Sequence, residues 1–191
     1  RAFHKLGNPD LNLVFIGTGP LEKKCRDYVQ NHQLSSVYFL GQQDNPLMFM
    51  SRSFCLVLAS DREGFPNVLL EAFFSGLPVI APGWSGQLDF LLDESGHEHF
   101  YNVSFDIQPI QKEAEWKGVV DPGSMWAFSR KNSAKEKMRQ CYNDITSGNK
   151  SSTCEYALEL QERFDKEKVY ADFVNSIESV SSAQDSQVLV L

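Results

Sequence analysis

Four short apolar runs, each separated from the next by a helix-compatible stretch, constrain this chain more than any other feature. They are Asn12 to Gly17 (NLVFIG), Val37 to Leu40 (VYFL), Phe54 to Ala59 (FCLVLA) and Val79-Ile80-Ala81. Runs this short, apolar at successive positions and rich in β-branched and aromatic residues, read as buried strands. Leu21 to about Gln33, Pro46 to Met50 and the stretch from Pro66 to the break at Gly76 read as the helices between them. Strand–helix–strand–helix–strand–helix–strand argues an α/β fold with a parallel sheet and flanking helices. In such sheets ligands bind beyond the carboxyl ends of the strands.

At 191 residues the chain has the length of one domain. A net charge of −7 argues against a nucleic-acid-binding surface. No apolar run approaches the ~18 residues that cross a bilayer. The four cysteines (Cys25, Cys55, Cys141, Cys154) show neither a Cys-x-x-Cys pair nor metal-finger spacing. Cys55, inside FCLVLA, reads as a buried free thiol, which fits a reducing compartment. Asn102-Val-Ser and Asn149-Lys-Ser are formal glycosylation sequons of a kind that chance supplies.

Residues 60–82, SDREGFPNVLLEAFFSGLPVIAP, carry the chemistry. Gly64-Phe65-Pro66 reads as a tight loop leading into a helix, with Pro66 in its first turn, where a missing N–H costs nothing. Val68, Leu69, Ala72 and Phe73 give an apolar face at helical spacing. Gly76 fits the left-handed position past the helix end, and Pro78 prevents continuation. A helix start preceded by glycine offers free N–H groups and the positive end of the dipole, a seat for a diphosphate. Glu63, on the loop, would reach a group beyond the phosphates. Glu71, about two turns in, would reach one on the nucleoside side. Carboxylates accept hydrogen bonds in pairs, which suits vicinal hydroxyls.

EGFPNVLLEAFFSGLPVIA resembles the donor-site signature of family 4 retaining glycosyltransferases with the GT-B fold, with Gly64, Pro66, Ala72, Gly76 and Pro78 in register between and beyond the two glutamates. The resemblance implies a Rossmann-like parallel sheet, the C-terminal half of such an enzyme, ending in several helices. It implies that Glu63 is catalytic and faces the donor sugar, and that Glu71 holds the ribose. Gly64, Phe65, Pro66, Asn67, Val68 and Leu69 would line the diphosphate, and Gly41, with Gln42, would lie against the base. GTGPLEKKC extends the likeness, although Gly17-Thr-Gly-Pro alone serves equally as turn chemistry or as a phosphate loop. Trp126-Ala127 matches a pair found before the terminal helices of some members.

One departure stands out. The family commonly carries Gly-Gly-x-x-Glu where this chain has Ser85-Gly86-Gln87-Leu88-Asp89. Around it, Trp84 to Gln87 is expected as a loop and Leu88 to Leu92 as a short helix. His97-Glu98-His99 alternates as a strand would; two solvated histidines are expected rather than a metal pair. No Asp-x-Asp is present, so no metal and no cofactor is expected, as in the GT-B class. Tyr101 to Phe105 reads as the last strand, and Trp116 and Trp126 as packing aromatics.

Three regions are expected: residues 1–130 as the nucleotide-sugar donor-binding domain, incomplete at its N-terminus, 131–180 as its C-terminal helices, and 181–191 as a flexible tail. The resemblance covers roughly 1–180, so an N-terminal acceptor domain and the first, central strand of the donor domain are expected to be missing. The implied parent transfers a sugar from a nucleotide-sugar donor to an acceptor (glycan, lipid or protein) with retention of configuration. The fragment alone is expected to be inactive. Two other readings remain: a non-catalytic nucleotide-sugar-binding module, or a nucleotide-sugar epimerase on the same scaffold. Cytosol, or the cytosolic face of a membrane, is the default location.

Overall fold

A computed structural model describes residues 2–6, 8, 10–58, 60, 66–149 and 153–185. Strands β1 (Leu13–Phe15), β2 (Val37–Phe39), β3 (Leu56–Val57) and β4 (Val79–Ala81) alternate with helices α1 (Glu22–Asn31), α2 (Leu47–Met50) and α3 (Asn67–Phe74), the order read from the sequence. There follow α4 (Leu88–Leu91), β5 (Tyr101–Asn102), β6 (Phe105–Pro109), β7 (Met125–Ser129), α5 (Lys131–Thr146), α6 (Thr153–Arg163) and α7 (Lys166–Asp185).

The core is a three-layer sandwich around β3, β4 and β5, which pair in parallel. Side chains alternate across a strand, and β4 is buried on both faces. Val79 and Ala81, with Leu56 and Leu58, pack with Leu69, Ala72 and Phe73 of α3 and with Tyr156 and Leu160 of α6. Ile80, with Val57, Tyr101 and Val103, packs with Ala134, Met138 and Cys141 of α5. Burial on both faces explains why β4 is apolar at every position.

The expected single sheet is split. β1 and β2 pair in parallel as a separate sheet, and among the described residues neither β1 nor β3 has a hydrogen-bonded strand on its other edge. Val14, Phe15 and Ile16 are consequently about 40 % exposed, where a buried strand was expected (42, 41 and 37 %). On α1 no residue is fully buried, and Leu21, expected as its first residue, stands before the helix and is exposed.

Beyond β4 the expectations need further correction. The run 101–105 is two strands: the chain turns at Val103-Ser104, and β6 pairs antiparallel with β7 in a ribbon of its own. His97-Glu98-His99 is extended but pairs only through a single antiparallel bridge of Glu98 with Leu92; its two rings meet, and His99 is half-buried on Asp93 where a solvated histidine was expected. Trp116 is exposed at 68 % and does not pack, whereas Trp126 is half-buried on β7. Cys55 is half-buried instead of buried. Between α6 and α7, Asp165 caps α7, its Oδ1 accepting from the Glu167 and Lys168 amides at 3.0 and 3.1 Å. α7 then runs to Asp185, past the expected start of the tail.

Candidate functional site

The described part of the site begins where β3 ends. The chain leaves β3 through Leu58 and reaches Ser60; Glu63, Gly64 and Phe65 lie outside the described residues, and Pro66 begins the next described segment. Pro66 is buried at the N-cap position with φ −78° and ψ 92°, one residue earlier than the first turn expected from the sequence. The Leu69 amide donates to the Pro66 carbonyl at 3.0 Å, closing the first turn. Asn67 and Val68 therefore stand at the amino end of the helix, where N–H groups have no carbonyl one turn earlier.

Burial of Leu69, Ala72 and Phe73 fixes the roll of α3. Leu69 is wholly inside, so only its backbone can face a ligand. Asn67 and Glu71 are four residues apart and so share one face of the helix. Asn67 is exposed and Glu71 half-buried, which leaves a carboxamide and a carboxylate side by side on the accessible face. At the other end Gly76 takes φ +67°, and the amides of Gly76 and Leu77 donate to the Phe73 and Ala72 carbonyls at 2.8 and 2.9 Å. This is a Schellman closure, as the sequence required.

A second group of loops lies at the carboxyl ends of β1 and β2. The Gly17 amide donates to the Gly41 carbonyl at 2.7 Å, joining the two loops, and both glycines take positive φ (+106° and +68°). A side-chain carbon at Gly41 would meet nothing within 4 Å, so its backbone is open. Gln42 is exposed, and the Gln43 amide group donates back to the Leu40 carbonyl at 2.7 Å. Gly41 thus belongs to the β1–β2 sheet, while Pro66 to Glu71 belong to the β3–β4–β5 layer.

The loop after β4 adds a third group. The Gly83 amide donates to Asn102 Oδ1 at 3.1 Å, and Asn102 Nδ2 donates to Glu98 Oε1 at 2.7 Å. A side-chain carbon on Gly83 would sit 3.1 Å from the side chains of both Asn102 and Phe100, so a larger residue there would have to push them back by a few tenths of an ångström. Gln87 is buried and donates to the Pro82 carbonyl. Ser85 adopts φ +56°, a region that favours glycine, at the position where the resembled motif has its first glycine. Asp89, in place of that motif's glutamate, is exposed on the first turn of α4. From the sequence Asn102 was read only as a formal sequon and Gln87 only as part of the departing motif; nothing marks a lone amide as the partner of a distant carbonyl or amide.

Among the described residues no group of three or more His, Cys, Asp or Glu could hold a metal ion. The His97 and His99 rings meet at 4.9 Å, but His99 is engaged by Asp93 and stacks on Tyr156.

Residues 1–97 match the family described as Glycosyl transferases group 1. The chain is 29 % identical over 129 residues to an uncharacterised glycosyltransferase of Methanocaldococcus jannaschii, covering 62 % of this chain and 32 % of that one. It is 39 % identical over 82 residues to N-acetyl-alpha-D-glucosaminyl L-malate synthase of Bacillus anthracis, covering 42 % of this chain and 22 % of the other. Its structure is similar to Anabaena HepE in complex with UDP, with a TM-score of 0.67 and 16 % identity, covering 93 % of this chain and 43 % of that chain. At that identity the likeness shows the fold alone, the α/β fold of GT-B glycosyltransferases. The chain spans about a third or less of the two curated relatives named here. The matched segment takes in β1 to β4, α1 to α4 and the whole motif from Glu63 to Pro78, and the chain belongs to the Glycosyl transferases group 1 family.

Proposed function

We propose that this chain is the donor-binding domain of a retaining, family 4 glycosyltransferase that takes a sugar from a nucleotide-sugar donor and delivers it to an acceptor held by a second domain. The observation that carries the reading is the amino end of α3. There Asn67 and Glu71 share an accessible face, directly after the segment that holds Glu63.

In this reading the diphosphate sits against the N–H groups of Asn67 and Val68, which face developing negative charge as the glycosidic bond breaks. Prearranged dipoles of this kind supply the greater part of the rate enhancement in many enzymes. Glu71 accepts from the ribose hydroxyls. Glu63 accepts from the sugar hydroxyls, and its charge favours an oxocarbenium-like transition state. Gly41, with its open backbone, lies beside the base. Helix-terminal N–H groups do the work that a divalent metal does elsewhere, so neither metal nor cofactor takes part.

Two features support a second domain and a further strand in the whole protein. The unpaired edges of β1 and β3 suit an inserted strand. On α7, Val169, Tyr170, Phe173, Val174 and Ile177 form one exposed apolar stripe, suited to lie against another body.

The test is ligand-observed NMR of this chain with UDP, GDP, ADP and their sugar conjugates, with Glu71→Ala as control. UDP comes first because the Anabaena structure holds it. Saturation transfer from one nucleotide, abolished in Glu71→Ala, supports the reading and names the base. Absence of transfer in both this chain and the full reading frame, each shown to be folded, sinks it.

A further inference from the structure

A cavity of about 730 Å³ opens where the β6–β7 ribbon meets the amino end of α5. Hydrogen bonds tie its walls together: the Arg130 amide donates to the Ser104 carbonyl at 2.8 Å, and the Ser104 amide to Ser133 Oγ at 2.9 Å. They hold the start of α5 against the chain just beyond β5, at the carboxyl edge of the β3–β4–β5 sheet. β5 and β3 stand two strand spacings apart, roughly 10 Å. The cavity is therefore distinct from the start of α3, which follows β3.

The charge placed here runs against the usual pattern of a helix start. The first helical bond of α5 is from the Ala134 amide to the Arg130 carbonyl at 3.0 Å, so the amides of Lys131, Asn132 and Ser133 have no carbonyl one turn earlier. Arg130, at the N-cap, makes no capping bond, and the first turn holds no acidic residue. Arg130 and Lys131 instead add two cations to the positive end of the dipole of a 16-residue helix. That arrangement is unfavourable unless an anion sits there. Asp106 accepts from Arg130 Nε at 2.9 Å and offsets part of the charge, and Glu136 also lines the cavity. Lys131 is exposed and makes no ion pair among the described residues.

Ser129, at the end of β7, is an independent sign. It lines the cavity, and its hydroxyl oxygen is shut off from solvent with no hydrogen-bond partner among the described residues. Buried hydroxyls are nearly always paired, so an unmet one marks a missing partner.

The geometry points to a binding site for a small phosphate monoester in this cavity. A carboxylate offers two oxygens; a phosphate monoester offers three and close to two charges at neutral pH. Three amides without helical partners, the Lys131 ammonium and the Ser129 hydroxyl suit the larger acceptor. The volume leaves room for the organic group, since small-molecule sites span roughly 300–1,000 Å³. The site is independent of the glycosyl-transfer reading.

The test is NMR mapping of amide shifts in the isotope-labelled whole chain, titrated with phenyl phosphate at constant ionic strength against a chloride control. Saturable shifts at Lys131, Asn132 and Ser133 are expected, and none there with chloride. Lys131→Ala, at an exposed position, should weaken binding by about ten-fold and Ser129→Ala by a few-fold. Glu71→Ala should leave it unchanged. Phosphatidylcholine vesicles containing phosphatidic acid separate two sources of the same group. Vesicle binding lost in Lys131→Ala assigns a lipid headgroup, and phenyl phosphate binding without vesicle binding assigns a soluble monoester. No shifts at the start of α5, shifts confined to Asn67 and Val68, or binding undiminished in Lys131→Ala overturns the proposal.

Discussion

His99 Nε2 donates to Asp93 Oδ2 at 3.0 Å, and the same imidazole lies flat on Tyr156 with ring centroids 3.9 Å apart. Asp93 Oδ1 meanwhile accepts from the Ser95 hydroxyl at 2.7 Å and from the Ser95 and His97 amides at 2.9 Å each. The carboxylate thus organises the turn after α4 and, through His99, fastens it to α6.

These hydrogen bonds, that of the Ser95 hydroxyl first and then those of His99 and the His97 amide, hold the Asp93 carboxyl well below the usual carboxylate range. A group whose value is depressed by folding contributes stability above its unfolded value, about 3.9 for aspartate, and loses it as pH falls toward the folded value. Thermal unfolding between pH 7 and pH 2 is expected to show Tm falling below about pH 4. Asp93→Asn should begin with a lower Tm at neutral pH and show a shallower fall.

Tyr156 is buried, with its hydroxyl 3.0 Å from the Phe90 carbonyl and 2.8 Å from the Leu92 carbonyl. Tyr156→Phe keeps the ring against Phe73 and His99 but removes the donor from both carbonyls. Urea unfolding is expected to show a loss of about 1–2 kcal/mol.

In the whole enzyme, Glu63→Gln is expected to lower kcat by about 100-fold or more, the scale of losing one transition-state contact. Donor Kd should change by no more than a few-fold. Equal losses in kcat and donor affinity would remove the catalytic assignment and leave Glu63 a binding residue. Turnover by the wild-type enzyme is expected to be unchanged by EDTA.

Ser85 holds φ +56°, which costs an L-residue roughly 1–2 kcal/mol. Ser85→Gly removes that strain, less the extra chain entropy of glycine, and is expected to stabilise by about 0.5 kcal/mol. Ser85→Val, with a branched carbon in the same region, should destabilise. Chemical denaturation of the three proteins side by side checks both signs.

The α/β order was legible because each strand from β1 to β4 is a short apolar run and each strand-to-helix break among them carries glycine or proline. Gly76 and the α3 core face followed from spacing alone. The split of the sheet was not legible as such, since pairing partners are set by topology and not by a strand's own residues. The β6–β7 ribbon escaped because fifteen residues separate FDIQP from MWAFS, and nothing local marks the two as partners. Within the site, the start of α3 was readable to within one residue. The Gly83–Asn102 and Gln87–Pro82 contacts were not, since they depend on how the loop after β4 folds back.

The alternation along β4 bears on where this chain can be edited. Val79 and Ala81 face one core and Ile80 the other, so one residue inserted ahead of them would exchange the two sets and place each against the wrong helices. Between Pro109 and Met125 the chain is mostly exposed, and added length there costs entropy that grows only with the logarithm of the loop. An epitope or fluorophore-bearing peptide belongs in that connection.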